Sequence, residues 1–139
     1  KQSVMEWLSH EQFSKSEIET VWHYIGGCPW EIQEIITQKK WGGQIEEICG
    51  NFVADEYAKI FDFTLDFEGE RLALFYQVIS EIVKNTYYNL AEAESKDSSI
   101  LKELIKVMVA HDFWFYKVDE QKIVANSKSL YWAFEKLKK

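Results

Sequence analysis

The sequence predicts a mainly α-helical fold in two parts. A helical subdomain covers residues 1–67, and a winged helix-turn-helix with a two-stranded β-hairpin covers residues 68–139. Three observations predict it. Apolar residues recur at helical spacing through most of the chain. The period changes at Phe113, where a run of aromatic residues reads as extended. The single proline and five of the six glycines fall between the periodic stretches.

Each element has a local cause. Ser14 with Glu17 three residues later fits a capping box, with Ser16 and Glu19 as the alternative register. From there Ile18, Val21, Trp22 and Ile25 form one apolar stripe, the first helix that the sequence signals. Gly26-Gly27 stops it, and Pro29 opens the next helix, since proline is tolerated at a first helical position. Ile32, Ile35 and Ile36 give that helix a buried face, and Trp41-Gly42-Gly43 ends it. A long third helix carries Ile45, Ile48, Cys49, Phe52, Val53, Tyr57, Ile60, Phe61 and Leu65, with Gly69 as the break. In the fourth, Leu72, Phe75, Tyr76, Ile79 and Val83 are joined by Leu74, Val78 and Ile82 on further sides, which marks it as central.

A short helix is expected around Tyr87 to Ala93, then a polar loop from Glu92 to Ser99. Ile100 to Ala110 reads as a helix with Leu101, Leu104, Ile105 and Met108 inward. Phe113 to Val118 and Lys122 to Ala125 read as strands around a turn at Asp119-Glu120-Gln121. Ser127 is placed to cap a last helix bearing Leu130, Phe134 and Leu137.

The chain has 139 residues, 47% of them hydrophobic and 16% aromatic, enough for a sizeable core and unlike a disordered segment. No run approaches the roughly 20 apolar residues that span a membrane. No signal-peptide pattern opens the chain, so a cytoplasmic location is expected. Lys1 stands where an initiator Met is expected, which implies a piece of something larger or a processed chain. Cys28 and Cys49 read as reduced, buried thiols. The net charge of −7 argues against general nucleic-acid binding. It is uneven: +3 from Lys96 to Lys139 and −10 before that.

No G-x-x-x-x-G-K-[ST] and no G-x-G-x-x-G occurs, so this chain is not expected to be an enzyme by itself. His10, His23, His111, Cys28 and Cys49 lack ligand spacing and read as scattered cap or core residues, with no metal expected. Glu31, Glu34, Glu46 and Glu47 read as solvated surface rather than an acid–base pair. No serine lies in a G-x-S-x-G elbow, so no catalytic residue is assigned. The aromatics Phe113 to Tyr116 suit packing better than base stacking, since only Lys117 and Lys122 flank them with positive charge. Gly26-Gly27-Cys28-Pro29-Trp30 reads by spacing alone as a tight helix-to-helix turn.

Those residues also carry a resemblance. Ser14 to Ile36, centred on Gly26-Gly27-Cys28-Pro29-Trp30, resembles the segment that follows the nucleotide-binding core in archaeal-type P-loop ATPases of the signal-transduction (STAND) branch of the AAA+ relatives. Phe113 to Tyr116, Ile123-Val124 and Ser127-Lys128-Ser129-Leu130-Tyr131-Trp132-Ala133-Phe134 resemble the wing and last helix of the same proteins. The resemblance implies that residues 1–67 are a lid subdomain. Its G-x-P motif, here Gly27-Cys28-Pro29, would place Gly27 and Pro29 against the nucleotide in the full-length protein, the proline on the adenine, with Gly26, Cys28 and Trp30 completing the motif. It implies no cofactor in this chain, ATP and magnesium in the full-length protein, and the N-terminal P-loop domain of that protein as partner; the weakly basic, aromatic wing suits a protein-contact or intramolecular docking surface, where another protein could bind.

The expected function is to close over the base and relay nucleotide state to a protein-contact surface. Two alternatives come from other classes, a free-standing winged-helix DNA-binding transcriptional regulator and a structural dimerisation module. The helix from Ile100 to Ala110 carries Lys102 and Lys106 against Glu103, and no Arg, Asn or Gln, which speaks against base readout.

Overall fold

The computed structural model describes residues 1–94 and 98–138. The helices are α1 (Gln2–His10), α2 (Lys15–Tyr24), α3 (Pro29–Lys40), α4 (Ile45–Phe63), α5 (Gly69–Asn85), α6 (Ser99–Ala110) and α7 (Lys128–Lys138). The strands are β1 (Tyr88–Asn89), β2 (Trp114–Lys117) and β3 (Lys122–Ala125), with single 3-10 turns at Leu90–Glu92 and Val118–Glu120. The fold is thus mainly helical, with one small antiparallel sheet in the order β1-β3-β2.

That sheet corrects the two-stranded expectation. The hairpin pairs Trp114 with Ala125 and Lys117 with Lys122, but β1 adds Tyr88 opposite Ile123 and Asn89 opposite Lys122. Tyr87 to Ala93, expected as a short helix, supplies this edge strand and one 3-10 turn. The reason is tertiary: Tyr88 is 3% exposed in the core, and pairing satisfies the open edge of β3. Of the polar loop expected over residues 92–99, residues 95–97 lie outside the described residues, and Ser98 already caps α6 by accepting from the Leu101 N–H.

Three other differences concern the helices. α1 precedes the first helix that the sequence signals. Its N-terminus has no side-chain cap, and Leu8 is the residue it buries. α4 ends at Phe63 with Thr64 as its C-cap, not near Gly69: from Leu65 the backbone tightens to i→i−3 bonds, Leu65 N–H to the Asp62 carbonyl at 3.3 Å and Phe67 N–H to the Thr64 carbonyl at 3.0 Å. Gly69 is instead the first residue of α5, so Leu65 falls outside the helix and is 61% exposed. On α5 the inward face is Leu74, Phe75, Val78, Ile79 and Ile82, whereas Tyr76 is exposed.

Among the described residues two apolar clusters form. One gathers Leu8, Phe13, Ile18, Val21, Ile25, Ile32, Ile35, Ile36, Ile45, Ile48 and Cys49 from α1 to the first half of α4. The other is built from α5, α6, the sheet and α7, with Ile60 reaching in from α4. Trp114 stacks on Phe75 at its centre, with ring centroids 6.1 Å apart. α7 lies between the two, packed on α2, α4 and α5, and its Tyr131 hydroxyl donates to the Val83 carbonyl at 2.8 Å.

The capping box at Ser14 is present. The Glu17 carboxylate accepts from the Ser14 N–H at 2.8 Å, and the Glu17 N–H donates to Ser14 Oγ at 3.1 Å. Lys39 reaches the same carboxylate at 3.0 Å. The backbone N–H of Ser14 is the largest cause of a Glu17 pKa below 4.5. Glu17→Gln should therefore cost about 1 kcal/mol near neutral pH. A depressed folded pKa gives stability that is present above pH 4.5 and lost as pH falls through the folded value. Urea titrations of wild type and variant should accordingly converge in acid. A cost that does not change with pH would show that the charge is not involved.

Candidate functional site

The turn between α2 and α3 is built from its glycines outward. Gly26 has φ +73°, and its N–H donates to the Val21 and Trp22 carbonyls at 3.2 Å. It therefore ends α2 in the left-handed region that a side chain resists. It is also a close-approach point: a Cβ placed there would sit 3.4 Å from the Lys128 Cβ at the start of α7. Gly27 has an ordinary backbone and lies beside the Trp22 ring. Cys28 is extended and precedes Pro29, the first residue of α3.

Gly26 is buried and Cys28 half-buried, so the edge presented to solvent is Gly27, Pro29 and Trp30. Trp22 packs at the turn, and Trp30 is 68% exposed and meets Phe52 of α4 edge to face, with centroids 6.4 Å apart.

The two patches singled out in the sequence meet in space. Ser127 caps α7 by accepting from the Leu130 N–H at 3.2 Å, and its hydroxyl lies 3.0 Å from that of Ser129. Ser129, 1% exposed, donates to Glu31 Oε2 at 3.2 Å across 98 positions of sequence. The Trp132 indole N–H donates to the His23 carbonyl at 2.8 Å, and its ring packs on the His23 imidazole. The turn and the last helix are thus tied at Gly26, His23 and Glu31.

Glu31 corrects the reading of the acidic residues as solvated surface. Glu34, Glu46 and Glu47 are exposed, but Glu31 is 3% exposed. Burial pushes its carboxyl above the usual range, opposed by hydrogen bonds from the Cys28 thiol and the Ser129 hydroxyl. The position lies in the first turn of α3, on the side where Ser129 of α7 reaches it, and spacing on α3 alone does not reveal that cover. Burial, with Glu31 nearby, pushes the Cys49 thiol up to about 12, and burial likewise raises Cys28. Both thiols therefore stay protonated near neutral pH and are weak nucleophiles.

Beside the turn lies a cleft of about 870 Å³. Its far wall is the α6–β2 corner at His111, Asp112 and Phe113, and Lys59 and Lys128 flank it together with Glu31 and Glu56. The sequence reading singled out none of Lys59, Asp112 or Glu56, because α4 and the α6–β2 corner reach the turn only through the tertiary fold. The His111 ring packs on Phe63, with centroids 4.5 Å apart. Among the described residues no group of three or more His, Cys, Asp or Glu converges to hold a metal ion, and no helix is long and apolar enough to cross a membrane.

No family model matches the chain, and no solved structure matches it. Over 72 residues, 52% of its length, the chain is 32% identical to an uncharacterized ATP-binding protein of Methanocaldococcus jannaschii. The match spans 20% of that protein. The chain is therefore related over about half its length to a small part of a protein described as binding ATP.

Proposed function

We propose that the chain is the C-terminal, non-catalytic portion of a P-loop ATPase of the signal-transduction branch. Residues 1–67 act as the lid and residues 68–139 as a winged helix with a third, edge strand. The lid closes over the base, with Gly27 and Pro29 as the contacting residues and Gly26, Cys28 and Trp30 shaping the turn. ATP and magnesium belong to the P-loop domain of the same protein, which supplies the backbone donors and charge that hold the phosphates. This chain contributes an apolar proline face and, at Gly27, a position without a side chain where a planar ring can approach the backbone.

One observation carries the reading: the exposed Gly27–Pro29 edge is tied to α7 through Gly26 and Glu31. A displacement of the turn is therefore a displacement of α7. The two residues Asn126 and Ser127 separate α7 from β3, so the hairpin follows. Such a relay works only if the nucleotide state binds the two positions of the turn with different affinity. The identity with part of an ATP-binding protein supports the assignment.

The test uses the intact polypeptide. Photolabelling with 8-azido-ATP should place the label on the tryptic peptide from Ser16 to Lys39, which contains Gly27 and Pro29. This chain alone should show no heat of ATP binding in calorimetry, since it lacks the phosphate loop. Label confined to other peptides, or micromolar ATP binding by this chain alone, would refute the assignment.

A further inference from the structure

We propose that the groove between the outward faces of α3 and α4, walled by Trp41, is a docking site for an arginine-bearing segment of a protein partner. The inference does not depend on the nucleotide reading, since the groove lies at the opposite end of α3 from Pro29.

Trp41 is 86% exposed, yet it does not sit on a loose loop. The Gly43 N–H donates to the Gln38 carbonyl at 3.0 Å, and Gly42 has φ +96°. A Cβ on Gly43 would lie 2.8 Å from Ile48 Cδ1, so the turn is pinned against α4. The indole is presented beside a groove of about 560 Å³, floored by Ile48 and lined by Glu34, Gln38, Glu47 and Asn51. An indole carried into water on a pinned turn is the kind of side chain that dominates interface energetics when covered.

Charge says what covers it. The lysines of α3 turn to the other side: Lys39 pairs with Glu17 at 3.0 Å and lies over the Phe13 ring, and Lys40 pairs with Glu11 at 3.4 Å. Among the described residues no Lys or Arg lines the groove, whereas Glu34 and Glu47 do. Gln38 donates to Glu34 at 3.2 Å and helps to orient that carboxylate. An aromatic wall, two carboxylates and side-chain amide acceptors match a guanidinium, which stacks on the indole while its planar N–H groups pair with the carboxylates. An ammonium satisfies the carboxylates but loses the stacking and the fork geometry.

The test is an NMR titration of the ¹⁵N-labelled protein with the acetylated tetrapeptide Arg-Leu-Ala-Arg and with its citrulline counterpart. The arginine peptide should give saturable shifts at the Trp41 indole and the Gln44 and Asn51 amides, with Kd on the order of 1 mM. The uncharged peptide and the Glu47→Gln variant should each bind roughly tenfold more weakly. The surface variant Trp41→Ala should remove binding without unfolding the chain. Equal shifts with both peptides, shifts spread over the acidic surface, or no saturation would overturn the proposal. Sedimentation showing a dimer that Trp41→Ala dissolves would also overturn it, assigning the groove to a second copy of the chain.

Discussion

Gly26→Val should lower stability by about 2–3 kcal/mol, whereas Gly27→Ala should stay within about 0.5 kcal/mol of wild type. Two effects add at Gly26. Its φ of +73° lies where a β-branched residue is most strained. Its Cβ would also meet Lys128 at 3.4 Å, and the two methyl branches of valine extend further toward α7. Valine restricts the unfolded chain more than glycine does, which offsets a fraction of the cost. Gly27 has an ordinary backbone, and a Cβ there makes only van der Waals contacts with Trp22 and Val4, at 3.7 and 3.8 Å. Urea unfolding with matched m-values reads the difference directly. Equal costs at the two glycines would mean that neither the left-handed turn nor the approach to α7 matters.

Glu31→Ala should cost about 1–3 kcal/mol, and Glu31→Gln should stay within about 1 kcal/mol of wild type at pH 7. Alanine leaves a cavity and removes the acceptor for the Ser129 hydroxyl and the Cys28 thiol. Glutamine keeps the shape and one acceptor oxygen. The two side chains differ in their response to pH. Burial raises the carboxyl of Glu31 above 4.5, so the folded chain holds this proton more tightly than the unfolded chain. The stability from this group is complete below pH 4.5 and is lost as pH rises through the raised value. Glu31→Gln removes that loss, so the wild-type curve should fall relative to the variant across this window. A gap between the curves that stays constant from pH 4 to pH 8 would mean that Glu31 does not titrate as a buried acid. Glu17, whose pKa is depressed, acts in the window below 4.5 and does not mask the effect.

Local chemistry made much of the helical part legible. The Ser14–Glu17 box, the Gly26 stop and Pro29 at the head of α3 are each decided within a few residues, and each is present. The hairpin was legible for the same reason, since the aromatic run and the polar turn are neighbours in sequence. α1 was not, because an uncapped helix that buries Leu8 depends on the core it joins. β1 was not either, because two residues carry no period, and only the edge of β3 makes them a strand. At the turn, the residues themselves were legible but their surroundings were not. Trp30 was legible as part of the motif, but only the fold sets it outward against Phe52.

By itself the sequence determined where most helices start and stop, that the second half ends in a hairpin and a capped helix, and that neither G-x-x-x-x-G-K-[ST] nor G-x-G-x-x-G occurs, because caps, turns and loop motifs are short-range chemistry. Only the tertiary structure decided that α7 lies on the α2–α3 turn. That contact makes Glu31 a buried acid rather than a surface one, makes Gly26 a close-approach point as well as a cap, and brings His111 and Lys59 to the edge of the same cleft. The physical reason is that burial belongs to the pair of surfaces that meet. Glu31 and Ser129 lie 98 positions apart, and neither sequence neighbourhood contains the partner that removes the other from water.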